Sequence, residues 1–295
     1  MLTSDAIQQG FREVQDHICN FMNAEDGIAY REDNWEYGKG SGGGRTRVWE
    51  HANLLEKGGV NFSAIRGTSM PQAAATQFQI PQDTPFLATG VSLVLHPWNP
   101  HIPTIHMNIR YFEAGDLWWF GGGIDLTPTY PVKSQVIAFH KHLKRICEEC
   151  DHPYDLHKKQ CDEYFFLKHR DEMRGIGGTF FDHLREDKEK HFTYCKTLGM
   201  NFPDLYRPFI EKNRDSEYTQ DQRDFQLYRR GRYVEFNLVY DRGTIFGLQS
   251  QGRTESILMS LPATAHWRYN YQPKPGTPEA ELTDYYLKPQ DWASM

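Results

Sequence analysis

The sequence predicts an α+β fold: a large, mainly antiparallel sheet flanked by helices on both faces, in a single domain over residues 1–295. Two observations lead there. Three consecutive stretches between residues 90 and 121 read as strands joined by short turns, the first two alternating apolar and polar side chains, the pattern of strands paired antiparallel. Blocks with apolar residues at helical spacing precede and follow them. No internal repeat and no long charged block suggests a second unit.

Taken in order, residues 4 to about 24 place Ile7, Phe11, Val14, Ile18 and Phe21 or Met22 on one helical face, with Ser4 as the expected N-cap and Gly27 beyond the end. Val91, Leu93 and Leu95 then alternate with Ser92, Val94 and His96 until Pro97 stops the strand. After the turn-rich residues 98–103, Ile105, Met107, Ile109 and Tyr111 alternate with His106, Asn108, Arg110 and Phe112 as its neighbour. A third strand, 117–121, is expected to end at Gly121-Gly122-Gly123. Helical patterns cover 135 to about 150, 161–174 and 203–213. Alternation returns at 231–240 and 244–249, with Asp241-Arg242-Gly243 as the turn of a β-hairpin.

Bulk properties narrow the function. The chain is 39% hydrophobic, 14% aromatic and 24% charged, with a net charge of -6, so no global basic field exists to collect nucleic acid. No stretch approaches the roughly 20 apolar residues of a membrane span, and the first residues lack a signal-peptide pattern, so a cytoplasmic protein is expected. Cys19, Cys147, Cys150, Cys161 and Cys195 read as reduced thiols, because Cys147-Glu-Glu-Cys150 falls in a helical segment and has no second pair to complete a zinc site.

The strand from residue 104 carries the chemistry. Period two puts His106, Asn108 and Arg110 on one face: an acid/base group, an amide and a guanidinium fork suited to a carboxylate ligand that exchanges a proton. His96 ends the neighbouring strand, and with His106 it could bind a divalent metal, while His140 and His169 fall on later helices. Asp125 follows the triple glycine and could accept from ring N–H donors. The glycine run 40–44 before Arg45 and Arg47 reads as a linker or an anion lid. Arg229, Arg230, Arg232 and Arg253 point to a polycarboxylate ligand.

Several segments together resemble the oxygen-dependent coproporphyrinogen III oxidases. They are Gly59-Val60-Asn61-Phe62-Ser63, Gly90-Val91-Ser92-Leu93-Val94-Leu95-His96-Pro97, His106-Met107-Asn108-Ile109-Arg110-Tyr111-Phe112, residues 118–128, Cys161-Asp162-Glu163-Tyr164-Phe165, Lys168-His169-Arg170, Arg174-Gly175-Ile176-Gly177-Gly178, residues 225–237 and Gly252-Arg253-Thr254-Glu255-Ser256. They span most of the chain in family order. The resemblance implies oxidative decarboxylation of two propionates of coproporphyrinogen III to vinyl groups, with dioxygen as co-substrate and no organic cofactor.

By the same likeness His106 is the proton donor, and Asp125 and Arg110 act with it. Ser92, Asn108, Ile109, Arg110 and the Gln251-Gly252-Arg253 stretch bind substrate, with Arg45 as a further anion contact. Bacterial members imply a divalent metal on His96, His106, His140 and His169, whereas other members need none. A homodimer through roughly 233–267 is implied as well. The competing class is a tetrapyrrole-binding carrier without turnover, which would not need the acid/base groups. His106→Ala and Asp125→Ala are both expected to lose activity and keep the fold, since both lie at a polar site.

Overall fold

The computed structural model describes residues 2–70, 75–76, 79–249 and 252–295. The chain begins with α1 (Ser4–Asp26) and runs through β1 (Arg31–Glu36), β2 (Ser41–Glu50), β3 (Leu55–Gly67), β4 (Phe86–Pro97), β5 (Thr104–Ala114) and β6 (Leu117–Thr127). Helices α2 (Lys133–Glu149) and α3 (Tyr154–Tyr164), the two-residue strands β7 (Phe166–Leu167) and β8 (Glu172–Met173), and β9 (Gly178–Leu184) follow. Then come α4 (Lys188–Met200), α5 (Phe202–Asn213), α6 (Gln220–Val239), α7 (Arg242–Gln249) and α8 (Thr254–Leu258). No described helix is long and apolar enough to cross a membrane.

Among the described residues β1 to β6 and β9 form one sheet in that order, each pair antiparallel. Directly opposed residues of antiparallel neighbours share a face, so the register lays out two surfaces. Phe62, Val91, Ile109 and Phe181 make one apolar row, and Val60, Leu93, Met107 and Ile124 the next. All eight are fully buried, with α1 on β3 and β4 and α4 on β5 and β6. The opposite face is polar and lies under α6 to α8, where Ser256 Oγ meets Thr46 Oγ1 at 2.7 Å. Gly59 admits this cover, since a Cβ there would stand 2.4 Å from the Met259 sulfur. Helices on both faces of an antiparallel sheet are what the pattern predicted.

The first helix also matches, with one shift. Thr3, not Ser4, is the N-cap, accepting the Ala6 N–H at 3.2 Å, while Ser4 donates to Glu113 Oε1 at 2.6 Å. Gly27 closes the helix with φ 79°.

Four expectations are corrected. The triple glycine does not end a strand but lies inside β6. Residues 41–44 are neither linker nor lid, because they are paired to β1 or β3 along β2. Residues 161–174 leave the helix at Tyr164 and form the β7–β8 hairpin. The hairpin expected over 231–249 is helical, α6 followed by α7. In α6 the alternation misleads: Arg229, Arg232, Tyr233, Phe236 and Asn237 are buried at three- and four-residue spacing, while Leu238 and Val239 are exposed. A capping box, Thr219 with Gln222, starts this helix.

Where α2, α3 and α4 meet, histidines are buried with few counter-charges. Burial, together with Lys158, pushes His140 down to about 3. His152, stacked on Tyr194 at 4.1 Å, is pushed down to about 3 by burial and by His157 and His191. Burial likewise takes His157 to about 4. The unfolded chain therefore binds protons below about pH 6.5 that the folded chain refuses, so stability is full above that pH and is lost as pH falls toward 4. Urea unfolding between pH 7.5 and 5 should show each such histidine withdrawing about 1.4 kcal/mol per pH unit below its unfolded pKa; a flat profile would refute this.

Candidate active site

The polar face is built from three cross-strand rows. Thr46, Asn61, Ser92, Asn108, Gly123 and Phe180 form one; Gly44, Ser63, Gly90, Arg110 and Gly121 a second; Gly59, Val94, His106, Asp125 and Gly178 a third. His106, Asn108 and Arg110 thus share a face, as their spacing predicted, with Ser92 directly beside Asn108. All four are half-buried.

His106 stands across the strand pair from Asp125, and its Nδ1 lies 2.8 Å from Asp125 Oδ1. A carboxylate accepts, so Nδ1 carries the proton and Nε2 is left to give or take one. Asp125 is only 1% exposed and is held from its other side by Arg174, with Nη2 at 2.7 Å and Nε at 3.2 Å. Burial alone would raise the Asp125 carboxyl, but Arg174 and the His106 hydrogen bond outweigh it and hold it below the usual range. Arg174 is itself 2% exposed, stacked against Phe165, Tyr233 and Phe236 at 4.1, 4.7 and 4.7 Å, and it donates to Asn237 Oδ1 at 3.1 Å. Phe165 meets the His106 ring edge-on, with centroids 5.6 Å apart. Asp125 therefore faces Arg174 and His106, not outward to ring N–H donors as expected.

Toward β9, Arg110 Nη1 donates to Asn108 Oδ1 at 2.8 Å and Nη2 lies 3.0 Å from Asp182 Oδ1. Arg242, at the start of α7, approaches Asp182 Oδ2 at 3.6 Å and lies over the Tyr164 ring. Its neighbour Asp241 accepts from Tyr164 Oη at 2.9 Å and from Thr244 N–H and Oγ1 at 2.7 Å each. Burial would raise the Asp241 carboxyl, but the Thr244 bonds and the nearby His106 hold it down.

Other expected residues lie elsewhere. The Ile109 side chain is fully buried on the core face. Arg45 also points to that side, donating to Gln15 Oε1 at 2.8 Å and Asp16 Oδ1 at 2.6 Å of α1, so it is not part of the polar site. Arg253 is on the polar side but pairs with Asp33 of β1, with Gly252 beside it, whereas Gln251 lies outside the described residues. The basic run is spent internally: Arg230 on Glu56, Arg229 on Glu172, Arg232 on Glu235.

The four histidines suggested as metal ligands do not fit a metal as they stand. His96 Nε2 donates to the Ser260 carbonyl at 2.9 Å and Nδ1 accepts from Thr104 Oγ1 at 3.2 Å. His140 Nε2 donates to the Ile176 carbonyl at 3.1 Å and Nδ1 accepts from Tyr154 Oη at 2.8 Å. His169 bonds Tyr240 and Glu235. With both nitrogens of these three engaged, His106 Nε2 is the one ring nitrogen of the four with a lone pair to offer, and no group of three or more His, Cys, Asp or Glu among the described residues is arranged to hold a metal.

Sequence reasoning missed Arg174, Asp182, Asp241 and Arg242. Arg174 falls in a family-like segment without a role of its own, and Asp241-Arg242 was read as a turn. Asp182 carried no signal at all.

The geometry revises one expectation about variants. His106→Ala, a site with a 20% exposed side chain, should fold normally and lose about 100-fold or more in turnover. Asp125→Ala strands the buried Arg174 charge and should cost about 3–5 kcal/mol of stability. Denaturation of both variants is the check, and equal stability would refute the assignment of Asp125 as the counter-ion.

Comparison with known proteins gives the family. Residues 6–292 match the family model described as coproporphyrinogen III oxidase. A protein of Dictyostelium discoideum named oxygen-dependent coproporphyrinogen-III oxidase is 54% identical over 315 aligned positions, covering 98% of this chain and 95% of the relative. Near-complete coverage at that identity places the chain in the oxygen-dependent coproporphyrinogen III oxidase family.

Proposed function

We propose that the chain converts two propionates of coproporphyrinogen III into vinyl groups in succession, giving protoporphyrinogen IX. Each propionate yields one carbon dioxide, and one dioxygen takes up two electrons and two protons to become hydrogen peroxide. The observation that carries this reading is the His106–Asp125–Arg174 chain on the same polar sheet face as Arg110. Arg110 offers a fork for a propionate carboxylate, and Ser92 and Asn108 add hydrogen-bonding groups beside it. His106 moves the proton at Nε2, with Asp125 orienting the ring and itself fixed by Arg174. Holding the propionate next to that atom lowers the entropic cost of reaction. Reaction of the electron-rich pyrrole with dioxygen is the substrate's own chemistry. A cytoplasmic location is proposed with it, in keeping with five free cysteines.

We further propose a homodimer through roughly 233–267. Leu238, Val239, Leu248 and Trp267 are exposed large apolar residues concentrated in this stretch. Sedimentation at micromolar concentration should give twice the 34.5 kDa chain mass, and Val239→Glu should shift it toward monomer; a monomeric parent protein rejects the assembly.

The activity test is anaerobic mixing of purified, chelator-treated protein with coproporphyrinogen III, then admission of air and chromatography. Oxygen-dependent protoporphyrinogen beyond the protein-free control is expected. Binding without product would support a carrier instead. Arg110→Lys should raise KM about tenfold, because an ammonium cannot reproduce the bidentate fork; an unchanged KM removes Arg110 from substrate binding.

A further inference from the structure

Asp182 has no part in the reaction as described, yet it sits on the cations that would hold the substrate. It comes from β9, where the register with β6 slips between Phe120 and Gly122 and His183 adopts φ 54°. This bulge sets two residues, Asp182 and His183, against Gly121 and turns the Asp182 carboxylate toward Arg110. Gly121 makes the approach feasible, since a Cβ there would lie 2.8 Å from both Arg110 Nη2 and Asp182 Oδ1. One oxygen contacts Arg110 at 3.0 Å and accepts the His183 N–H at 3.0 Å, while the other faces Arg242 at 3.6 Å. The two guanidinium groups lie 5.9 and 6.0 Å from the Phe180 ring centre. Side-chain exposures of 30% for Arg110 and 64% for Arg242 leave both cations partly accessible.

We propose that Asp182 is an internal stand-in for a substrate carboxylate, occupying Arg110 and Arg242 until a propionate displaces it and returning once that propionate has left as carbon dioxide. The inference rests on the reading of Arg110 as a propionate ligand and deepens it. Asp182 divides its two oxygens between two guanidinium groups, one contact to each, and the Arg242 contact is long. A free propionate can engage one guanidinium through both oxygens, the stronger geometry, so exchange is feasible. A neutral side chain cannot make that exchange, because it would leave Arg110 to its internal partner. Asp182 thus sets a threshold that only a carboxylate passes, which is selectivity by competition. The same competition favours departure of the vinyl product, which offers Arg110 no charge.

The test is Asp182→Asn, which removes the charge but keeps an oxygen to accept the His183 N–H. The probe is coproporphyrin III, the oxidised ring with the same four carboxylates, titrated by fluorescence at fixed ionic strength against the parent protein, Asp182→Asn and Arg110→Gln. Loss of a competing, partly exposed ion pair should tighten binding by Asp182→Asn about threefold to fivefold. In turnover its KM should fall, and kcat should fall with it as product is released more slowly. Arg110→Gln should weaken probe binding. If Asp182→Asn binds the probe no better than the parent while Arg110→Gln binds it worse, Asp182 merely holds Arg110 in place and the inference is overturned, with the Arg110 reading intact. If Arg110→Gln binds as the parent does, both fall together. Asp182→Ser, also uncharged, is measured alongside and decides the matter if the Asn variant does not fold.

Discussion

Asp125 and Arg174 are buried to the point where either charge alone would cost several kcal/mol, and each is tolerable only because the other is there. Their pairing ties β6 to the segment just after β8, and through Asn237 to α6. It also leaves the Asp125 carboxylate anionic and aimed at His106 Nδ1, which settles the imidazole tautomer and turns Nε2 into the working atom. Phe165, Tyr233 and Phe236 complete the arrangement by stacking on the guanidinium, supplying cation–π attraction where water is excluded. One ion pair thus links the sheet, the helix above it and the acid/base group.

The polar face around this pair shows why a sheet suits the task. Cross-strand rows bring His106 beside Asp125, Asn108 beside Ser92 and Arg110 beside Gly121 without any loop having to be ordered. The apolar rows on the reverse surface supply the rigidity, since all their side chains are packed under α1 and α4. Arginines are numerous near this face, but burial has committed most of them. Arg229, Arg230 and Arg232 neutralise Glu172, Glu56 and Glu235, and Arg45 is bonded to α1 on the far side. Residue type alone therefore overstated how many cations a carboxylate ligand could meet. Arg110 and Arg242 remain partly open, and they share the single carboxylate of Asp182.

Elements were legible where one periodicity was unopposed. In β5, from Ile105 to Tyr111, every second residue is buried and the alternate ones are polar, so both strand and site could be read from spacing. In α6 the same alternation at 231–240 pointed the wrong way, because tyrosine, valine and phenylalanine suit strands and the capping box of Thr219 and Gln222 lay upstream of that stretch. The helix prevails because its buried side, including Tyr233, Phe236 and Asn237, fits over the sheet around Arg174 and His96. The triple glycine looked like a strand end because glycine is a poor strand former, yet its missing side chains are what allow Arg110 and β9 to come close.

The sequence by itself determined the α+β class, the polar face of His106, Asn108 and Arg110, and the family, because each rests on local alternation or on contiguous motifs. Only the tertiary structure decided that Asp125 is a buried counter-ion, that the histidines at 96 and 140 have both nitrogens engaged in hydrogen bonds, and that Arg174 and Asp182 belong to the site. These are charge pairings between residues 49 and 72 positions apart, Asp125 with Arg174 and Arg110 with Asp182. No local spacing encodes them, since burial and register are properties of the packed chain.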